Sequence, residues 1–364
     1  MIASTARTAV RATDTVTDPD LAGLPDVPGV RLRRWRGLEA ELPAMWAVSD
    51  AARAADGELE RTTLAGMTAY YRHLERHDPS RDLVIAEVDG RVVAYARVEW
   101  NDSNDGERWY EAVCNVDPAD RDRGIGAVLL AWTERRRLAI AAEHAARGEA
   151  QDRVRALTTY LFDGDRGGAV LLDRAGYVAF RRFASMQRPD LEDIPEVPLP
   201  AGLEIRPVGH ERPALRRVFD ADAEAFRDHF GWSEASDERF AEFVESPGLD
   251  PALWLVAFDG DEVAGAVLNG IHVNPEGERS GWLDSIFTRR PWRRRGIARA
   301  LIVRSLVLLR DRGLTAASLG VDLANPNEAP ALYESCGFRP VSLATAYRKP
   351  VPAAPAGGAE EVLA

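Results

Sequence analysis

Two glycine-bearing loops, each running into a long apolar-periodic stretch, carry the residue types best suited to chemistry in this chain. The first reads Asn115-Val116-Asp117-Pro118-Ala119-Asp120-Arg121-Asp122-Arg123-Gly124-Ile125-Gly126, and the second Phe287-Thr288-Arg289-Arg290-Pro291-Trp292-Arg293-Arg294-Arg295-Gly296-Ile297-Ala298. A helix that starts at such a loop presents N–H groups with no partner, and small residues let an anion come close to the backbone. Each loop therefore reads as a phosphate cradle. Two rival cradles are excluded by residue type, because neither Gly-Lys-Ser/Thr nor Gly-x-Gly-x-x-Gly is present. Lys349 is the only lysine, so no lysine serves a nucleotide in the body of the protein.

The loops differ in charge. From Arg289 to Arg299 the second carries Arg289, Arg290, Arg293, Arg294, Arg295 and Arg299 without an acid, whereas the first dilutes Arg121 and Arg123 with Asp117, Asp120 and Asp122. Cations at a helix N-terminus oppose the macrodipole at roughly 0.3–1 kcal/mol each. Such a cluster makes sense around a bound anion, so the second loop is the better grip for phosphates.

The elements around the loops also occur twice. Val30–Arg33 and Leu203–Arg206 alternate as first strands, and two helical stretches follow each. Hairpins come next, with Asp89-Gly90 and Asp259-Gly260 as turn signals. A further strand leads into the loop and its helix, Ala127 to Ala142 or Arg299 to Arg312. Strand, helix and a glycine-aromatic pair, Gly176-Tyr177 or Gly337-Phe338, then precede a closing strand that ends at Pro189 or Pro350. The expected organisation is an unstructured extension over 1–29, a first domain over 30–189, a Pro-rich connector over 190–201, a second domain over 202–350 and an unstructured tail over 351–364.

Composition bounds the class. The 364 residues suffice for two domains of ordinary size, and 46% apolar with 29% charged residues describe a globular chain. No apolar stretch is long enough to span a bilayer, and no signal-type segment opens the chain. Cys114 and Cys336 lack CxxC spacing, which fits a reducing, cytoplasmic setting. The net charge of −12 and pI near 5.2 disfavour nucleic acid and favour cationic amines as partners. The six histidines have no ligand spacing with Cys, Asp or Glu, so no metal site is expected.

The Arg-x-x-Gly-x-Gly/Ala loops and the order of elements resemble the GNAT superfamily of N-acyltransferases over nearly all of both halves, and in particular its two-copy members, the mycothiol synthases among them. The resemblance implies an α+β fold of two tandem GNAT-like domains, each a mixed, mostly antiparallel central sheet flanked by helices. It implies acetyl-CoA, or another short acyl-CoA, as donor and the amine of a small molecule as acceptor, joined by direct attack in a ternary complex. A cysteinyl pseudodisaccharide, an aminoglycoside, a polyamine and a protein N-terminus all stay open as acceptors.

Site residues follow from the same resemblance. Counted back from the glycine-aromatic pairs, Tyr333 falls opposite Leu172 and Asn325 opposite Gly164. A tyrosine at the Tyr333 position is expected to protonate the leaving thiolate, which leucine cannot do; the alternative is that Tyr333 only packs. Asn325 would lie along the pantetheine arm or act as a helix N-cap with Glu328 as its partner. Ile286, Phe287 and Thr288 would offer backbone to the donor, with Arg293, Arg294, Arg295, Gly296, Ile297, Ala298 and Arg299 around its phosphates. Asp284, on one strand face with Trp282 and Ile286, is the candidate base, and Glu111 is its weaker counterpart. His229 would shape the acceptor pocket. Val116, Arg121, Arg123, Gly124, Ile125 and Gly126 would form a second CoA site. Two alternatives stay open: a non-catalytic CoA-binding or regulatory protein, and an enzyme working from its N-terminal half.

Overall fold

A computed structural model describes residues 20–352 apart from 60, 228, 233, 234, 275 and 326. The N-terminal half contains β1 (Val30–Arg34), α1 (Leu38–Ala55), α2 (Leu64–Arg72), α3 (Pro79–Asp82), β2 (Leu83–Val88), β3 (Arg91–Asp102), β4 (Glu107–Val116), α4 (Ile125–Ala146), β5 (Val154–Phe162), α5 (Arg166–Arg174) and β6 (Val178–Arg188). The C-terminal half repeats the order, with a 3-10 turn (Pro251–Leu253) in the place of α3: β7 (Glu204–Arg206), α6 (Arg212–Phe226), α7 (Asp237–Glu245), β8 (Leu255–Asp259), β9 (Glu262–Val273), β10 (Arg279–Thr288), α8 (Ile297–Asp311), β11 (Ala317–Asp322), α9 (Ala329–Ser335) and β12 (Arg339–Pro350).

The two sheets are one. Among the described residues twelve strands run in the order β1-β2-β3-β4-β5-β12-β6-β11-β10-β9-β8-β7. Each half lends its last strand to the other: β12 lies antiparallel between β5 and β6, and β6 lies antiparallel between β12 and β11. Alternation along β6 and β12 makes them strands but carries no information about which neighbour they choose. Lys349 belongs to this exchange, since its Nζ meets Glu134 of α4 at 2.8 Å.

The hairpin turns show how local chemistry sets the register. Asp89 and Gly90 both have positive φ, at 49° and 79°, between the paired residues Val88 and Arg91, as a two-residue hairpin loop requires. In the second hairpin Asp259 pairs with Glu262, so the turn residues are Gly260 and Asp261, one position later than the Asp-Gly signal suggested.

The connector and the described part of the extension are packed segments. Leu21, Leu24 and Val27 lie against the N-terminal core, and Arg135 donates to the Ala22 carbonyl at 2.7 Å. The expectation of an unstructured stretch up to 29 is therefore corrected from residue 20 on; residues 1–19 and 353–364 lie outside the described residues. In the connector, Leu191 is buried and Ile194, Val197 and Leu199 pack on the C-terminal core. Helix α8 explains why: Ala300, Leu301, Ile302, Val303, Leu306 and Leu309 are all buried, so it is apolar on most of its circumference and needs cover on both sides. The sheet covers one side and the connector the other, with Arg304 donating to Val197 O at 2.6 Å.

Candidate active site

The C-terminal cleft begins with an interruption in a ladder. Strand β10 pairs with β9 from Arg279–Val273 to Leu283–Asn269 and resumes at Ser285–Leu268, leaving Asp284 as the unopposed residue of a bulge. A bulge frees backbone groups from the ladder and re-aims side chains. On its other edge β10 is parallel to β11 only at Gly281–Ala317 and Trp282–Ser318, after which the strands part. A cavity of about 650 Å³ opens in the fork.

Most of the residues expected at the site meet there. Asp284, Ile286, Phe287, Thr288, Arg293, Arg294, Gly296, Ile297, Ala298, Arg299, Asn325, Tyr333 and His229 all line this cavity. Arg295 is exposed and is not part of this lining. Gly296 is the N-cap of α8 with φ 83°, and a Cβ added there would meet nothing within 4 Å, so the cleft is open over the helix start.

The arginine cluster divides by partner. Arg289 pairs with Glu224 at 2.6 Å and with Glu262 at 3.4 Å, and Arg293 ties the loop to its own backbone by donating to Thr288 O at 3.1 Å and Ala225 O at 2.9 Å. Arg294 and Arg299 are the loop cations that face the cavity without that structural duty, although Glu328 lies 3.7 Å from Arg294. A hydrogen bond to a charged group contributes about 1.5–3 kcal/mol, and about 1.4 kcal/mol is tenfold in affinity. Calorimetry on Arg299→Glu and Arg294→Glu is expected to show acetyl-CoA binding weakened tenfold or more, with Arg295→Glu changing it less.

Tyr333 is buried on α9 and its ring is 6.4 Å from that of Phe338. Burial pushes its phenol up to about 12, so it stays protonated throughout the working range of an enzyme. The matching backbone bonds, Phe338 N to Tyr333 O and Tyr177 N to Leu172 O, place Leu172 at the equivalent position of α5. Asn325 is not the helix cap that its spacing to Glu328 suggested. Its Oδ1 accepts from Asn327 N at 2.8 Å, while Glu328 itself, with φ 56°, is the N-cap of α9. The Asn325 side chain closes a local turn before the helix begins.

Asp284 leans over Gly270, where a Cβ would come within 2.3 Å of Oδ2. Its other oxygen is 2.9 Å from His272 Nε2, and His272 stacks on Trp282 at 5.3 Å. Two neighbours have no signal in the sequence. The Ser285 hydroxyl donates to the Asp222 carboxylate of α6, and burial pushes that carboxyl up to about 6. Asp222 faces another cavity of about 580 Å³, lined also by Tyr70, Phe226, Trp232, Arg239 and Glu242, where α2 of one half meets α6 and α7 of the other.

The N-terminal half keeps the cradle and loses the rest. Asp122 and Gly124 have φ 62° and 87°, matching 62° and 83° at Arg294 and Gly296. Yet the β3–β4 ladder is unbroken from Ala94–Val116 to Asp102–Arg108, and β4 stays paired with β5 as far as Ala112–Thr159. Arg137, fully buried on α4, holds those strands together by donating to Tyr110 O at 3.2 Å and Thr158 O at 2.8 Å, with Tyr177 Oη at 2.7 Å. A buried guanidinium needs such acceptors. The cavity there, about 630 Å³, is lined by Val116, Arg121, Gly124 and Gly126 but not by Arg123, Ile125 or Glu111. Arg121 is held by Asp56 at 2.6 and 2.8 Å, and Arg123 by Asp120. Glu111 lies opposite Glu99 in the ladder, and burial with that neighbour pushes it up to about 7.

A forked sheet, a bulge on one arm and a helix N-terminus at its base shape this cleft, and free N–H groups at a helix start suit an anionic ligand. The Acetyltransferase (GNAT) family model matches residues 47–161 and 215–338, and the chain belongs to that family. It is 30% identical to a mycothiol acetyltransferase of Geodermatophilus obscurus over 85% of this chain and 94% of that one. It is 31% identical to a mycothiol acetyltransferase of Thermomonospora curvata over 86% and 95%. Among solved structures, a GCN5-related N-acetyltransferase from Sphaerobacter thermophilus superposes with TM-score 0.66 at 25% identity, covering 91% of this chain and 98% of that one. A tandem GNAT protein from the clavulanic acid biosynthesis pathway shares the fold, with TM-score 0.64 at 17% identity over 90% and 100%. The protein is an acetyl-CoA-dependent N-acetyltransferase.

Proposed function

We propose that the C-terminal cleft transfers the acetyl group to the amine of a small molecule by direct attack in a ternary complex. The observation that carries this is the bulge at Asp284, found in β10 and absent from the β3–β4 ladder of the other half. Acetyl-CoA supplies an activated thioester. Backbone N–H groups freed beside the bulge polarise its carbonyl, and one such donor can be worth about 10²- to 10³-fold in rate. The N-terminus of α8, with Arg294 and Arg299, holds the phosphates. A carboxylate at the bulge takes the amine proton, and Asp284 is the candidate that lines the cleft directly. Tyr333 gives its proton to the departing thiolate.

The acceptor enters from the side of His229, where the loop after α6 reaches the other half: Phe230 packs on Trp109 at 4.8 Å and Asn104 N donates to Trp232 O at 3.0 Å. The relatives' names favour an acceptor related to mycothiol. The N-terminal cradle, its arginines neutralised by Asp56 and Asp120, serves at most as a structural CoA site. Thiol release is the readout that tests the reading. A panel of a cysteinyl pseudodisaccharide, an aminoglycoside, a polyamine and a peptide amine, offered with acetyl-CoA, is expected to show turnover with the pseudodisaccharide fastest. Binding of acetyl-CoA without turnover of any amine of the panel would overturn the assignment of these four acceptor classes.

A further inference from the structure

Asp284 is not the only carboxylate that reaches the bulge. Asp222 arrives from α6 on the opposite side, half-buried, with the Ser285 hydroxyl as its hydrogen-bond partner. Among the described residues no cation pairs with it. Ser285 lines the catalytic cleft, Asp222 lines the cavity between the halves, and Phe226 belongs to the wall of both. One hydrogen bond therefore runs from the lining of the cleft to the lining of the cavity between the halves. Asp284, in contrast, has its carboxylate on His272 at the cleft surface.

We propose that Asp222, acting through Ser285, fills the role of base for which Asp284 was the candidate: it accepts the proton of the acceptor ammonium and releases it into the cavity between the halves, so that proton exit does not cross the cleft filled by the donor. The inference rests on the reading of the C-terminal cleft as the active site. The steps balance. The ammonium passes one proton to Ser285 Oγ, whose own proton moves to the Asp222 carboxylate, and the freed lone pair forms the C–N bond. As the C–S bond breaks, the thiolate takes the Tyr333 proton. The second proton lost by the new amide nitrogen replaces it on the phenolate. Acetyl-CoA and an ammonium give amide, thiol and one proton, and that proton sits on Asp222 until the carboxyl ionises again.

Two features of Asp222 suit the task. Desolvation raises its carboxyl to about 6, close enough to neutrality for it to take a proton and give it back. The aromatic residues Tyr70, Phe219, Phe226 and Trp232 line the same cavity, which stays open to the outside and so gives the proton an outlet. Other ionisable groups face the pair: Glu242, itself raised by burial, with Arg239 and Tyr70 across the cavity, and Asp284, His272 and His229 on the cleft side. Asp222 is distinguished among them by its bond to a hydroxyl in the cleft. A base with a raised pKa is active above that pKa, so the rate constant kcat/KM for the amine is expected to fall as pH drops through about 6.

The test uses the full chain, acetyl-CoA and the amines of the panel, with kcat/KM followed from acid to alkaline pH. Asp222→Asn is expected to lower kcat/KM about 10²-fold at neutral pH and to remove the acid limb near 6, with acetyl-CoA affinity by calorimetry within twofold of the unaltered chain. Asp222→Glu is expected to restore part of the rate and the limb. Ser285→Ala, a smaller change, is expected to act in the same direction and carries the test should Asp222→Asn fail to fold by circular dichroism. Asp284→Asn, whatever its effect on rate, is expected to keep the limb. A folded Asp222→Asn with unaltered rate and limb overturns the proposal, and Ser285→Ala at full rate overturns the route through the hydroxyl. Absence of turnover in the unaltered chain would instead overturn the reading of the cleft, and the proton route with it.

Discussion

Gly296→Glu is expected to abolish acetyl transfer, and Gly124→Glu is expected to leave substantial activity. The two positions are closely matched in backbone conformation. Both glycines are left-handed N-caps, with φ 83° and 87°, so an L-residue costs each about 1–2 kcal/mol in backbone strain. Each Cβ also finds room: none within 4 Å at Gly296, and only Val27 Cγ2 at 3.6 Å at Gly124. Loss of folding therefore touches both variants about equally, and circular dichroism checks it. At Gly296 the new carboxylate stands over the start of α8 among the cavity-facing groups, in the space proposed above for a pyrophosphate. At Gly124 it joins a loop whose Arg121 and Arg123 are already bound to Asp56 and Asp120. Rates of thiol release decide the matter. Loss of transfer in Gly124→Glu with retention in Gly296→Glu would move the active site to the N-terminal half and take the assignments of Tyr333 and Asp284 with it.

The parts of this site that the sequence made legible are those written in local chemistry. A glycine that must be left-handed, a helix start and a tyrosine facing a leucine across the repeat can be found by counting. The order of strands and helices was equally readable, because periodicity and turns are local. Pairing was not. Nothing in the alternation of β6 and β12 says that each completes the other half's sheet, since a strand offers the same edge to any partner of suitable register. The bulge escaped for a related reason: an extra residue in a ladder shows only when both strands are laid side by side. Arg137 was hidden by its type, because an arginine on a helix reads as surface, whereas this one is buried as a clamp between β4 and β5. It occupies the place that Leu309 takes in α8, 13 residues after the N-cap in both helices. Leucine there packs on Gly281, at the last stretch where β10 and β11 are still paired. Arg295 lies outside the cavity lining, and a run of like residues does not reveal which members of a loop face a cleft.

Tyr333→Phe is the second decisive substitution, with turnover expected to fall roughly 10²-fold or more while acetyl-CoA affinity stays near that of the unaltered chain. Phenylalanine keeps the ring and its packing near Phe338 and removes only the oxygen, so a purely structural tyrosine would lose little. The pH dependence separates the roles further. Because burial pushes the phenol up to about 12, the donor stays protonated through neutral and moderately alkaline pH, and no alkaline limb from Tyr333 is expected below about pH 11. Leu172→Ala is the control in the other half. It empties a buried position in the N-terminal core, which typically costs about 2–5 kcal/mol, and should lower the unfolding midpoint while leaving turnover per folded molecule unchanged. A full turnover number in Tyr333→Phe would mean that water or another group protonates the thiolate, and the contrast between Tyr333 and Leu172 would then reflect packing alone.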